Sequence, residues 1–330
     1  MKINRIMPLL LAAGLSACAS VKTPQFENTY TAENRYAQDV KTFPNIEGIA
    51  SRAVPAEVIE YKNLTYVRYG NRALQLDLYV PKALANKPAG RVTPGVVLVH
   101  GGGWQAGYRT HLTPMAIELA KAGYVAATIS YRLSPEALYP AAVNDAKAAV
   151  RWLRSNASQY HVDPTRIAVG GSSAGGQIAS LTGMTNGLQR FDPQAQSSQV
   201  SSDVQLILNI DGLSDFTSAE ARTFEDKPGK SAAGSWFGGR YAEQRDRWHE
   251  ASPTYYVGEN SPPILFLNSS QDRFHVGRDE MIAKMQIYNI PSKVVTFADA
   301  PHTFWLYEPW IKPAAAEVVT FLNAQFGAAQ

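Results

Sequence analysis

Short, almost wholly apolar runs recur along this chain, separated by stretches with helical periodicity, and few architectures accept that pattern. Residues 96–99, 124–129, 167–169, 204–210, 264–267 and 294–297 read as strands buried on both faces. Between and after them, residues 113–122, 140–160, 174–184, 276–288 and 314–326 carry a helical period. In the longest of these, Val143, Ala146, Val150, Leu153 and Ala157 fall on one face. Fully buried strands alternating with helices predict one α/β domain with a mostly parallel central sheet flanked by helices. Ahead of it, residues 64–69 and 74–80 alternate like half-buried strands, and Gly70-Asn71 between them reads as a hairpin turn. No internal repeat is visible.

The alternation breaks once. About fifty residues after Ile210 contain no clear strand, too many for a bare loop in a compact domain. A small helical insert over residues 212–260, at one end of the sheet after the sixth strand, is the expectation. The α/β domain is then 61–330. Residues 18–60, with no strong period and with Pro24, Pro44 and Pro55, read as a tether and an arm lying on that domain.

Composition removes several chemistries. The one cysteine, Cys18, excludes an intramolecular disulfide and any zinc site needing two thiolates. Six histidines are scattered, with no close pair of metal-ligand spacing, so neither metal nor cofactor is expected. A net charge of +3 without a basic cluster gives no nucleic-acid footprint.

Lys2 and Arg5 precede an apolar run over residues 6–15 that is too short to span a bilayer. It ends in Leu15-Ser16-Ala17-Cys18, which resembles the lipobox of bacterial lipoproteins. The resemblance implies a signal peptide over 1–17 and lipidation of Cys18, hence a membrane anchor in the cell envelope. With Ala19 rather than Asp next, the outer membrane is preferred.

The chemistry centres on Gly171-Ser172-Ser173-Ala174-Gly175, a G-x-S-x-G frame between a buried strand and a helix. A serine on so sharp a turn leaves no room for β-carbons two residues to either side. Ser173 is the expected nucleophile. His100-Gly101-Gly102-Gly103-Trp104 follows the strand at 96–99, and its glycines let main-chain N–H groups approach a ligand oxygen. Gly102, Gly103 and Ala174 are the expected oxyanion donors. Partners in the order Ser, Asp, His are sought on loops at the carboxyl ends of later strands. Asp272 and His302 meet that condition; Asp299, Asp279 and His275 are the rivals set aside. His100 is read as a structural residue of its loop. Trp104, Trp305 and Trp310 are candidate pocket walls, because aromatic faces offer rigid apolar contact. Trp236-Phe237 could close over a substrate.

The motifs His100-Gly-Gly-Gly-Trp, Ser130-Tyr-Arg-Leu-Ser-Pro-Glu, Tyr139-Pro-Ala-Ala-Val-Asn-Asp-Ala, Arg151-Trp-Leu and Gly171-Ser-Ser-Ala-Gly-Gly resemble the α/β-hydrolase superfamily. Within it they are similar to the esterase/lipase group that includes hormone-sensitive-lipase-like carboxylesterases, over residues 61–328. Trp104, Trp152-Leu-Arg and Asp163-Pro-Thr-Arg-Ile look most like the branch of bacterial feruloyl and acetyl-xylan esterases. The resemblance implies the α/β-hydrolase fold and a serine ester hydrolase acting through an acyl-enzyme on small esters or acylated oligosaccharides of plant origin. A generic short-chain carboxylesterase is the alternative; a serine peptidase and a non-catalytic binding lipoprotein rank behind it. Two departures stand out: many lipase-like members carry Asp where this chain has Ser172, and the acid loop reads Asp272-Arg-Phe-His-Val instead of Asp-x-x-Val-Pro. Arg132, Glu136 and Asp145 read as scaffold ion pairs.

Overall fold

The computed structural model describes residues 28–85, 91–193, 198–229 and 231–328. The expected signal peptide over 1–17 and the expected lipidation site Cys18 lie outside these residues. Ten strands are present among them: β1 (Gly48–Ile49), β2 (Val58–Tyr69), β3 (Arg72–Pro81), β4 (Thr93–Val99), β5 (Val125–Ile129), β6 (Val162–Ser172), β7 (Leu206–Ile210), β8 (Ile264–Asn268), β9 (Ser292–Thr296) and β10 (Tyr307–Glu308). The helices are α1 (Ala32–Asp39), α2 (Lys82–Ala85), α3 (Thr113–Lys121), α4 (Ala141–Ser155), α5 (Ala174–Met184), α6 (Ala219–Glu225), α7 (Ala232–Phe237), α8 (Arg245–Glu250), α9 (Arg278–Ile287) and α10 (Ile311–Phe326).

Eight strands form one sheet in the order β2-β3-β5-β4-β6-β7-β8-β9. The opening hairpin pairs antiparallel, turning at Gly70-Asn71 with Tyr69 opposite Arg72, and β3 pairs antiparallel with β5. From β5 onward every pairing is parallel. This is the α/β-hydrolase arrangement. The central strands β4, β5, β7 and β8 are buried at every position, as their unbroken apolar runs require. Both faces are covered. Val143, Ala146 and Val150 of α4 and Ile178 of α5 pack on one. Met115 and Leu119 of α3 and Val318 and Leu322 of α10 pack on the other.

Between β7 and β8 the chain forms α6, α7 and α8, three short helices. Their aromatic residues are interior. Trp236 is fully buried and stacks on Trp104, with centroids 4.9 Å apart and planes 9° from parallel. Trp236 therefore backs Trp104 and is not a flap over the site.

The arm before β2 holds a helix that periodicity did not reveal. Thr31 caps α1, its side chain accepting from the Asn34 N–H, which satisfies one otherwise orphaned donor. Strand β1 pairs antiparallel with β10, just beyond the loop that carries His302. The arm is thereby fastened beside the site.

Candidate active site

Ser173 sits between β6 and α5 with φ 53° and ψ −122°, a left-handed backbone that a residue with a β-carbon adopts only under constraint. The constraint is crowding. A β-carbon on Gly171 would lie 2.2 Å from the Gly175 carbonyl oxygen, and one on Gly175 would lie 2.0 Å from that of Val99. The two glycines of the frame are therefore required by contact with β4, and the turn lifts Ser173 above the sheet.

His302 Nε2 lies 2.8 Å from Ser173 Oγ. Its other nitrogen, Nδ1, lies 2.7 Å from Asp211 Oδ2. Asp211 is fully buried at the end of β7, itself at a positive φ of 56°. Its carboxylate also accepts from the Ser269 N–H and hydroxyl, the Asn268 amide and His275 Nε2. Burial alone would raise its pKa; the hydrogen bonds from His275, His302 and Ser269 outweigh that and hold the carboxyl well below the usual range. Burial depresses the pKa of His302, and the pull of Asp211 in the opposite direction does not cancel it. The imidazole is thus neutral at neutral pH, as a proton acceptor must be.

The sequence pointed to Asp272 for this position, and the structure corrects it. The Asp272 side chain is 98% exposed. The chain leaving β8 turns through a short 3-10 helix, Asp272–Phe274, which carries Asp272 outward and brings the Phe274 ring flat against His302 at a centroid distance of 3.3 Å. The carboxylate comes from one strand earlier. A signal existed: Asp211-Gly212 follows directly on the buried run Leu206–Ile210, placing an acid at the carboxyl end of a central parallel strand. His275, set aside as a base, instead donates to the far side of Asp211 at 3.2 Å. Asp299 accepts from Asn45 and Trp310, and Asp279 pairs with Arg278.

The glycine loop after β4 is equally constrained. Gly102 has φ 125°, and a β-carbon there would lie 2.1 Å from the Ala106 carbonyl oxygen. Among the described residues no group accepts from the N–H of Gly102, Gly103 or Ala174. His100 is buried under this loop, stacked on Tyr131 at 4.4 Å with Nδ1 2.8 Å from the Gly101 carbonyl. Burial pushes its pKa down to about 3. Arg132 pairs with Asp145 at 2.8 Å and Arg72 with Glu136 at 2.7 Å, both within the scaffold.

Two cavities meet at Ser173. One, of about 80 Å³, is lined by Gly103, Trp104, Ala174, Asp211, Leu213, Glu225, Ala232, Arg273 and Phe274. The other, of about 270 Å³, is lined by Gly102, Gly103, His302, Thr303, Gln271 and Phe274, and on its outer side by Tyr30, Arg35 and Asp39 of the arm. Trp104 lines the smaller cavity. Trp305 and Trp310 line neither cavity. Both are buried in the core on the opposite face of the sheet from Trp104. Trp305 meets the His302 ring edge-on at 5.2 Å, and Trp310 bonds Asp299. The polar residues of the arm were not anticipated, because nothing in an aperiodic segment says which surface it will lie against.

A family model described as BD-FAE matches residues 76–278, more than half of the 330 residues. The chain belongs to the BD-FAE family. Its BD-FAE match includes Ser173, Asp211 and the glycine loop, and ends before His302. The chain is also 28% identical over 263 residues to esterase LipQ of Mycobacterium tuberculosis, spanning 78% of this chain and 61% of that protein. It is 32% identical over 227 residues to esterase LipC of the same organism, spanning 64% of this chain and 52% of the relative. The matched part is thus about half to three fifths of these relatives. Among solved structures, a truncated carbohydrate esterase from gut microbiota superposes with TM-score 0.68 at 21% identity, covering 84% of this chain and 99% of the other. Thermogutta terrifontis esterase 2 gives 0.66 at 22% identity, covering 83% and 97%. At these identities the likeness concerns the α/β-hydrolase fold.

Proposed function

We propose that this member of the BD-FAE family is a serine carboxylester hydrolase that cleaves short acyl groups, acetyl foremost, from a hydroxyl-rich alcohol such as an oligosaccharide. The single observation that carries the reading is the hydrogen-bonded run Ser173–His302–Asp211 opening onto two cavities. Ser173 Oγ attacks the acyl carbon while His302 Nε2 takes its proton. Asp211 holds the tautomer with Nδ1 protonated and stabilises the imidazolium that forms. The N–H groups of Gly102, Gly103 and Ala174 receive the developing oxyanion. His302 then returns the proton to the leaving alcohol, and water repeats the sequence on the acyl-enzyme.

The proton route assigns the cavities. The alcohol must leave beside His302, which lines the larger cavity and not the smaller. The acyl group therefore takes the smaller one. At about 80 Å³ it is less than a third of the larger one, at about 270 Å³. That favours a short acyl group such as acetyl or propionyl over a feruloyl group, with its aromatic ring and three-carbon chain, so the acetyl half of the expectation is the one we retain. A generic short-chain carboxylesterase shares this acyl cavity and differs only in the alcohol it accepts.

Hydrolysis of p-nitrophenyl acetate, butyrate and hexanoate, acetylated xylo-oligosaccharides and methyl ferulate tests the reading. Acetyl release with little feruloyl release is expected, and Ser173→Ala abolishes it in a folded protein. Turnover retained by Ser173→Ala contradicts the assignment. We further propose that Cys18 carries a lipid anchor, several chains being needed for stable attachment. Cys18→Ser should move the full chain from the membrane to the soluble fraction; continued membrane association contradicts the anchor.

A further inference from the structure

The larger cavity is closed on its outer side by residues that belong to neither the glycine loop nor the sheet. Tyr30, Arg35 and Asp39 come from the arm, on and just before α1, outside the stretch 76–278 that matches the family. The arm is held there by chemistry and not by contact alone. Asp39 is buried and accepts from the Thr303 hydroxyl and, at 2.9 Å, from the Tyr307 hydroxyl, so α1 is bonded to the residue that follows His302.

Charge and hydrogen-bond capacity define what the cavity can hold. The Arg35 guanidinium pairs with Asp39 one turn away and donates to Gln38 at 2.8 Å, so its charge is offset within the helix. Its Nε–H is buried, with no acceptor among the described residues, so the guanidinium can reach the cavity only through its terminal nitrogens. Gln271, on the facing loop after β8, makes no side-chain hydrogen bond among the described residues, and neither does the Tyr30 hydroxyl. A hydrocarbon leaving group would strand these groups, and an anion would meet a guanidinium already paired with Asp39.

We propose that the arm is a specificity element: Arg35 and Tyr30 of the arm, with Gln271 facing them, form a subsite for a neutral polyhydroxy leaving group, a sugar ring. The proposal rests on the hydrolase reading for the direction in which the alcohol departs. It does not rest on turnover for its test.

The test measures binding of unacetylated, neutral xylo-oligosaccharide to the full chain carrying Ser173→Ala, by titration calorimetry, before and after adding Arg35→Met or Gln271→Leu. Saturable binding is expected, weakened at least tenfold by each addition. The two substitutions lie on different segments, the arm and the loop after β8, and a melting temperature within a few degrees of the parent shows that the fold is kept. A companion measurement on the Ser173 protein compares kcat/KM for acetylated xylo-oligosaccharide with that for p-nitrophenyl acetate; the ratio falls at least tenfold in Arg35→Met. No binding, binding unaltered by both substitutions, an unaltered ratio, or tighter binding of an acidic oligogalacturonate overturns the subsite. A Ser173 protein that hydrolyses no ester, yet binds the neutral sugar through Arg35 and Gln271, counts against the hydrolase reading and leaves the subsite standing.

Discussion

His302 Nδ1 lies 2.7 Å from Asp211 Oδ2, so the imidazole is oriented from the end of β7 and not from the end of β8. The relation is over-determined. Asp211 also ties to Asn268 and Ser269, the last residue of β8 and the first beyond it, and its own N–H donates to the Leu267 carbonyl at 2.8 Å. Asp211, at the end of β7, is thus hydrogen-bonded to the end of the neighbouring parallel strand β8. The loop after β8 is consequently free to present Phe274 to the His302 ring and Gln271 to the larger cavity.

The first expectation concerns pH. His302 must be neutral to accept the serine proton, and burial places its pKa below the ordinary 6.5. The acid limb of kcat/KM, which reports the free enzyme, should therefore have its midpoint below 6.5. Steady-state rates on p-nitrophenyl acetate between about pH 4 and 8 measure it. A midpoint above the ordinary value would mean that the Asp211 ion pair outweighs burial.

A second expectation concerns acid stability. His100 and His111 are both buried, and burial depresses them to about 3 and about 4. Below their ordinary value of 6.5 the unfolded chain takes up protons that the folded chain refuses. Their contribution to stability is therefore flat above that value and falls as pH drops from it towards 4, by up to about 1.4 kcal/mol per pH unit for each histidine. Urea midpoints measured against pH test this. His111→Phe removes one titration and should flatten the slope; an unchanged slope contradicts the contribution of His111.

A third expectation concerns Ser172. This residue is fully buried next to Ser173, and its hydroxyl has no partner among the described residues. A stranded hydroxyl costs about 1–3 kcal/mol, offset here by the small void its removal leaves. Ser172→Ala should leave stability unchanged or raise it by up to about 1 kcal/mol in urea unfolding. A loss of more than about 1 kcal/mol would show that the hydroxyl is bonded.

The fold was readable because its central strands are apolar without interruption and its longest predicted helix, α4, is one-sided. Residues 96–99, 124–129 and 264–267 became β4, β5 and β8 within a few residues. Ser173 was readable because the crowding against Val99 admits only glycine at 171 and 175. Asp211 was not, since Asp272 satisfied the same chain-order rule and side-chain direction in a loop does not follow from sequence. Trp305 and Trp310 misled for a related reason: a cluster of aromatics near the expected base, His302, looks the same whether it packs inward or outward. Both prove to be core residues, at 1% and 4% exposure. Helix α1 has few apolar positions, so no period announced it; its place is set by the Asp39 bonds to Thr303 and Tyr307.

The most direct measurement compares two single substitutions, Asp211→Asn and Asp272→Asn, in kcat/KM on p-nitrophenyl acetate. Replacing the carboxylate that orients the histidine forces the wrong tautomer, which costs on the order of 10³–10⁴-fold. Asp211→Asn should lose activity on that scale. Asp272→Asn, altering a side chain 98% exposed to solvent, should stay within about threefold of the parent. A collapse in Asp272→Asn with Asp211→Asn near the parent would contradict the constellation Ser173–His302–Asp211.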